Sequence, residues 1–276
     1  MDFAVACDQL ITEAQDDSVR IQMICEDQRQ ARNREWKNTI LTPNFQGWRV
    51  DKILKSILEN KSFIDPRNNL CIWARPTQEI VKSIVDIQQE LQNMVPALWI
   101  TPTESLHMTV LEIVHSENPE RLEDYVNKLR PSFAQLTGFV LNNLVRLGKP
   151  QLNYDDSAVS ITFVPVDEKN YTYLHLRRDL AKICQLGGVH VVSRYFTTSS
   201  HITIARFVEQ PDPSDLISRG AWINKIESLN QQLKDDFYTG DRGEWVIGAE
   251  VGVEVRKGTL WYGGGESVAI GEAASF

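Results

Sequence analysis

The sequence predicts an α+β protein assembled from two copies of one unit, with a helical extension in front of them. Three observations carry that prediction. The tetrads His107-Met108-Thr109-Val110 and His201-Ile202-Thr203-Ile204 share one pattern, a histidine and a threonine two positions apart with apolar residues between and after them. The surroundings repeat in register. His107 and His201 are 94 residues apart, and so are Asn118-Pro119 and Asp212-Pro213, each a helix-capping residue followed by proline at the first turn. Each tetrad also follows the same order of strand, helix and polar break, the breaks being Thr101-Pro102-Thr103-Glu104-Ser105 and Thr197-Thr198-Ser199-Ser200.

Composition narrows the class. The chain has 276 residues, 42% hydrophobic and 24% charged, which suits one large globular domain or two small ones. No apolar run approaches the roughly 20 residues that span a bilayer, and the start, Met1-Asp2-Phe3-Ala4-Val5, has no basic lead into an apolar core. Cys7, Cys25, Cys71 and Cys184 are scattered, without a disulfide framework or metal-ligand spacing. These features predict an intracellular protein, cytoplasmic or nuclear, with no membrane partner, acting as a monomer. Long nucleic acid is gripped mainly by phosphate neutralisation. A net charge of −8 therefore argues against duplex binding, while leaving room for a small anionic ligand in a local basic pocket.

Residues 1–65 form the extension. Residues 18–36 are polar with Val19, Ile21, Ile24 and Cys25 near their start, and Val50, Ile53, Leu54, Ile57 and Leu58 recur at helical spacing. These segments are too small to fold alone and are expected to dock as a cap. The main domain spans 66–276, with lobes at about 70–150 and 151–276.

In the first lobe, 70–74 reads as a strand, and Ile80, Ile84, Ile87 and Leu91 make one helical stripe closed by Pro96. The first histidine strand covers 106–114, and Leu122, Val126, Leu129 and Phe133 mark the capped helix. In the second lobe, 139–148 reads as a connecting strand and 158–164 as another. A helix over about 168–186 carries Tyr173, Leu176, Leu180 and Ile183 and ends at Gly187-Gly188. Residues 189–196 read as a strand, the second histidine strand runs to 208, and Trp222, Ile226, Leu229 and Leu233 stripe the last helix. The tail reads as one long strand through Val246, Ile247, Val251, Val253 and Val255, bent at Gly248 and Gly252, with Lys257-Gly258 turning into 259–262. Gly263-Gly264-Gly265 lacks a following Gly-Lys-Ser/Thr and reads as a loop.

On a strand, positions i and i+2 share a face. Each tetrad therefore turns an imidazole and a hydroxyl to one side and apolar residues to the core. If the halves face each other, His107 and His201 flank one bond and serve as base and acid in turn. Thr109 and Thr203 then hydrogen-bond a bound oxyanion, an arrangement suited to cleaving a phosphodiester. A metal is not expected, because no Asp, Glu or Cys stands at i+2 or i+4 from either histidine. His115, His175 and His190 lack such a context. Tyr195 is a candidate for stacking on a base or for core or rim packing, Arg75 sits where a substrate phosphate or plain solvent could meet it, and Arg206 counts onto the face opposite Thr203 and reads as structural.

Leu106-His107-Met108-Thr109-Val110 and Ser200-His201-Ile202-Thr203-Ile204 resemble the paired motifs of the 2H phosphoesterase superfamily, over residue 70 to the C-terminus. That resemblance implies a bilobal, pseudo-twofold fold of two antiparallel sheets facing a central cleft with helices outside. It implies hydrolysis or transesterification of 2′,3′-cyclic or 2′,5′-linked phosphates on a small nucleotide or RNA terminus, without cofactor, with His107 and His201 catalytic. Asp65-Pro66-Arg67-Asn68, Trp73-Ala74-Arg75-Pro76, Tyr171-Thr172-Tyr173, Leu176-Arg177-Arg178-Asp179 and Trp261-Tyr262-Gly263-Gly264 resemble fungal RNA ligase/cyclic nucleotide phosphodiesterase-like proteins. Two other readings use the same cleft. One is a nucleotide-binding module without turnover, and the other is acid–base chemistry on a non-phosphate metabolite.

Overall fold

The computed structural model describes residues 2–166, 170–211, 215–239 and 243–273. Three helices come first, α1 (Phe3–Glu13), α2 (Ser18–Leu41) and α3 (Lys52–Glu59). Each is opened by an aspartate, Asp2, Asp17 and Asp51, whose carboxylate accepts from backbone N–H groups left without partners in the first turn. The remaining elements are β1 (Asn68–Ala74), α4 (Gln78–Met94), β2 (Leu98–Ile100), β3 (Met108–Glu117), α5 (Pro119–Leu129), α6 (Phe133–Asn142), β4 (Arg146–Tyr154), β5 (Ala158–Pro165), α7 (Tyr173–Leu186), β6 (His201–Phe207), α8 (Leu216–Phe237), β7 (Trp245–Val246), β8 (Glu254–Gly258) and β9 (Glu266–Ile270).

The strands form two antiparallel sheets, ordered β3-β1-β8-β9 and β2-β6-β5-β4-β7. Helices α5 and α6 pack against the first sheet, and α7 packs against β3. Helices α4 and α8 pack against the second. The stripes expected from spacing are the ones that bury: Ile80, Ile84, Ile87 and Leu91 on α4, and Trp222, Ile226, Leu229 and Leu233 on α8. The extension docks through α1 on α7 and through α2 on β4, β5 and α8. Its α2 runs where β4 lacks a strand partner. There Asn33 Nδ2 donates to the Leu152 carbonyl and Arg29 to that of Lys149, satisfying backbone groups that would otherwise be exposed at a sheet edge. Among the described residues no helix is long and apolar enough to cross a membrane.

Several expectations give way. Residues 139–142 belong to helix α6 and not to a connecting strand; Phe133, Leu136 and Val140 bury one face of that helix, and β4 starts only at Arg146. Residues 189–196 have no strand partner and run as an irregular loop, although Val189 and Val191 are buried. The tail is broken by turns into β7 and β8, and the hairpin reverses over 259–265 into β9, so 259–262 is turn and not strand. The helix expected from about 168 begins at Tyr173; Glu168 lies outside the described residues, as does Asp212-Pro213, and α8 is opened by Asp215. The sheets also exchange strands across the expected lobe division near 150. Strand β2 joins the second sheet, while β8 and β9 return to the first.

Candidate active site

Both histidine strands carry a bulge directly after the threonine. In β3, Trp73 of β1 pairs with Thr109, but its neighbour Ile72 pairs with Leu111, so β3 contains one extra residue at Val110. In β6, Ser160 of β5 pairs with Thr203 and Val159 with Ala205, an extra residue at Ile204. An inserted residue shifts the alternation by one. Glu112 therefore faces the same side as Thr109, and Arg206 the same side as Thr203. These positions are also 94 residues apart, so the bulge is part of the repeat. Counting by twos puts Arg206 on the far face; the bulge corrects that reading.

The two faces line one cleft, about 570 Å³ with the open solvent at its mouth included, that holds all five candidate residues: His107, Thr109, Tyr195, His201 and Thr203. The two histidines and two threonines are half-buried. His107 lies flat on the indole of the fully buried Trp73, ring centres 3.5 Å apart and 11° from parallel. Its Nδ1 is 2.7 Å from the Ser105 carbonyl oxygen. A carbonyl only accepts, so Nδ1 carries the proton and the neutral ring keeps its lone pair on Nε2. His201 is held differently, with Nδ1 2.8 Å from the Ser199 hydroxyl and Tyr195 edge-on at 5.2 Å. Burial pushes His107 down to about 3, helped by the cations Arg75 and Arg256 and by His201 and opposed by the Ser105 carbonyl. Burial likewise pushes His201 down to about 4, with Arg206, Arg32 and Arg177 adding to it. Both imidazoles are thus neutral in the unliganded protein near pH 7.

The polar breaks before the two motifs do the positioning. Arg75 does not line the cleft. Its guanidinium binds Glu254 and donates to the Glu104 and Leu106 carbonyls, which fixes the turn leading into His107. The matching clamp on the other side is Arg177, fully buried on α7. It donates to the carbonyl of Val110, next to Thr109, and to those of Phe196 and Thr197, shortly before His201. One side chain thereby ties both motifs together.

Over the cleft stands the β8–β9 hairpin with Trp261, Tyr262 and Gly263. Trp261 is sandwiched by Arg67 at 4.3 Å and Arg194 at 4.5 Å, and Arg194 is anchored on the buried Glu112. The Tyr262 hydroxyl donates to Asp51, which also receives Arg206, so the extension grips both sheets at the cleft mouth. Cys71 lines the floor, and burial raises its thiol well above the usual range, which removes it as a nucleophile. Among the described residues no three His, Cys, Asp or Glu are grouped to hold a metal ion. His175 accepts at Nδ1 from the Thr172 backbone and meets Asp16 at Nε2, a tie between α7 and the extension, and His190 is exposed.

Sequence reasoning missed Trp73 as the support of His107, the Glu112–Arg194 pair, and Arg206. Trp73-Ala74-Arg75-Pro76, one of the segments that carry the narrower resemblance, was a signal for the first. The other two depend on bulges that no residue pattern marks.

Residues 65–131 match a family model described as 2H-phosphodiest, Domain of unknown function (DUF1868). No curated protein matches the sequence. Among solved structures, a conserved protein of unknown function from Agrobacterium tumefaciens aligns at 13% identity over 75% of this chain and 86% of its own, with a TM-score of 0.49. Usb1 of Kluyveromyces marxianus aligns at 10% identity over 72% of this chain and 95% of its own, with a TM-score of 0.39. The family match begins at Asp65 and runs through the first histidine strand and α5, so this part of the chain is similar to that family.

Proposed function

We propose that the protein is a metal-independent phosphodiesterase that opens a 2′,3′-cyclic phosphate, or cuts a 2′,5′-linked one, on a nucleotide or RNA end. The observation that carries this reading is the convergence of two imidazoles and two threonine hydroxyls on one cleft. Binding an anionic phosphate between the histidines favours their charged forms and lifts both pKa values from the depressed range of the empty cleft. One imidazole then enters the reaction protonated. The neutral one takes a proton from the attacking water, and the imidazolium delivers a proton to the departing ribose oxygen. The hydroxyls of Thr109 and Thr203 donate to the non-bridging oxygens, where charge accumulates.

The test is incubation with a nucleoside 2′,3′-cyclic phosphate and chromatographic separation of the products. A nucleoside 2′- or 3′-monophosphate is expected. Calorimetric binding of nucleotide with no product over hours would instead make the cleft a nucleotide-binding module.

A further inference from the structure

The cleft does not end at the two histidines. A groove of about 2650 Å³, including its open mouth, shares His201, Thr203 and Arg206 with it and runs along the same face of the second sheet. Its floor is Thr162, Ser160 and Ala158 of β5, alternate residues on one side of the strand, with Thr162 paired to His201 and Ser160 to Thr203. Its far wall is the extension, through α2 and residues 49–53. The groove therefore exists only because the extension is docked.

Its charge is the reverse of the chain's. Seven Lys and Arg line it against three carboxylates, Glu35, Asp51 and Asp155, in a protein whose net charge is −8. The lining Arg29 is buried, and its Nε has no hydrogen-bond partner among the described residues. Two of the cations stand beside the turn between β4 and β5, Arg49 paired with Asp156 of that turn and Arg32 on α2, near enough to His201 for its charge to act on that imidazole. Arg32 is 3.1 Å from Asp155, and Arg49 is 2.8 Å from Asp156, with their side chains 47% and 64% exposed. Such exposed pairs contribute only about 0–1 kcal/mol. Each guanidinium has five donors, so those not bound to the aspartate remain for a ligand. Lys52, exposed at the same wall, makes no ion pair among the described residues.

We propose that this groove is a second substrate subsite, built by the extension, for a phosphate carried beyond the reacting one. The inference rests on the phosphodiesterase reading of the cleft. The turn at Ser157 is five residues along β5 from Thr162, roughly 17 Å at strand spacing. That is longer than one nucleotide. A phosphate at the 5′ position of a cyclic mononucleotide comes within reach of Arg32 but falls short of Arg49, whereas the next phosphodiester of a short single strand reaches Arg49. The preferred substrate is accordingly an oligonucleotide end, with its non-reacting arm lying past His201 between α2 and β5.

Three substrates separate the sources of the second phosphate: a nucleoside 2′,3′-cyclic phosphate, its 5′-phosphorylated form, and a trinucleotide ending in a 2′,3′-cyclic phosphate. The expected result is a kcat/KM at least tenfold higher for the trinucleotide than for either mononucleotide. Two phosphate contacts on a single strand give a salt slope of about −1.4, so this advantage should fall roughly sevenfold between 50 and 200 mM salt. In the double variant Arg32→Glu/Arg49→Glu the ratio of trinucleotide to mononucleotide kcat/KM should approach one. Arg32→Gln/Arg49→Gln should show a smaller loss and provides the test if charge reversal impairs folding. Equal kcat/KM for all three substrates, a full advantage conferred by the 5′-phosphate alone, or an advantage that survives both double variants would each overturn the subsite. If no substrate turns over, the phosphodiesterase reading fails by itself. Anisotropy of a labelled trinucleotide 3′-phosphate then decides the groove, with binding weakened tenfold by charge reversal supporting it and unchanged binding refuting it.

Discussion

Arg177→Met removes the clamp that joins the two histidine motifs while keeping an unbranched apolar stem. Arg177 makes hydrogen bonds of 2.8 Å to Val110, 2.7 Å to Phe196 and 2.5 Å to Thr197, all to carbonyl oxygens. Hydrogen bonds from a charged donor contribute about 1.5–3 kcal/mol each, so the gross loss is roughly 4.5–9 kcal/mol. The substitution also relieves the burial of a guanidinium that has no carboxylate partner among the described residues, a cost of several kcal/mol. Its guanidinium also lies over the rings of Phe3 and Tyr173. The net destabilisation should be about 3 kcal/mol, which at a urea m-value of about 3 kcal/mol per M lowers the unfolding midpoint by about 1 M. Freed carbonyls at Val110 and Phe196 let Thr109 and His201 drift, and a displacement near 1 Å costs about 100-fold in kcat. Urea unfolding and cyclic-phosphate turnover measure the two effects. A midpoint within about 0.3 M of the parent, together with kcat within about threefold, would refute the clamp.

Four shorter predictions accompany it. Because the empty cleft depresses both histidines and a bound phosphate raises them, the bell-shaped profile of kcat should sit at higher pH than that of kcat/KM; coincident profiles would deny the electrostatic coupling. The same depression makes the unfolded chain bind more protons below its histidine pKa of about 6.5. The histidines' contribution to stability is therefore complete above pH 6.5 and lost as pH falls toward about 4 and then about 3, so His107→Gln/His201→Gln should flatten the fall in urea midpoint between pH 7 and 4.5. Gly263→Ala should lower both stability and kcat. Gly263 has φ of 90°, and an added Cβ would stand 2.2 Å from that of Ser105, whose carbonyl orients His107. Arg206→Ala should weaken inorganic phosphate binding by calorimetry about tenfold, as expected for loss of a charge-assisted contact; unchanged affinity would return Arg206 to a purely structural role tied to Asp51.

How far the residues alone lead depends on whether the relevant signal is periodic. The helices α4 and α8 and the facing of His107 with Thr109 and His201 with Thr203 are legible because a regular helix or strand converts spacing into direction. Glu112 and Arg206 are not, since a single extra residue at Val110 or Ile204 reverses the count and leaves no mark in composition. Residues 139–142 of α6 mislead for another reason. An apolar run such as Gly-Phe-Val-Leu suits strand or helix equally, and packing against α7 and β8 decides between them. The return of β8 and β9 to the first sheet is a long-range pairing, which local pattern does not encode. The extension offered no chemistry in its sequence. Its contribution is spatial, one wall of a groove and a carboxylate, Asp51, placed between Tyr262 and Arg206.

The central claim is that His107 and His201 share the proton transfers of one phosphodiester cleavage. Turnover of a nucleoside 2′,3′-cyclic phosphate by the parent protein, His107→Ala and His201→Ala, each with and without EDTA, tests it most directly. Each proton transfer is worth roughly 10²- to 10⁴-fold in rate, so either substitution should lower kcat by at least about 100-fold, with EDTA changing nothing in the parent. Cyclic-phosphate turnover that survives both substitutions, or that EDTA abolishes, would contradict the account.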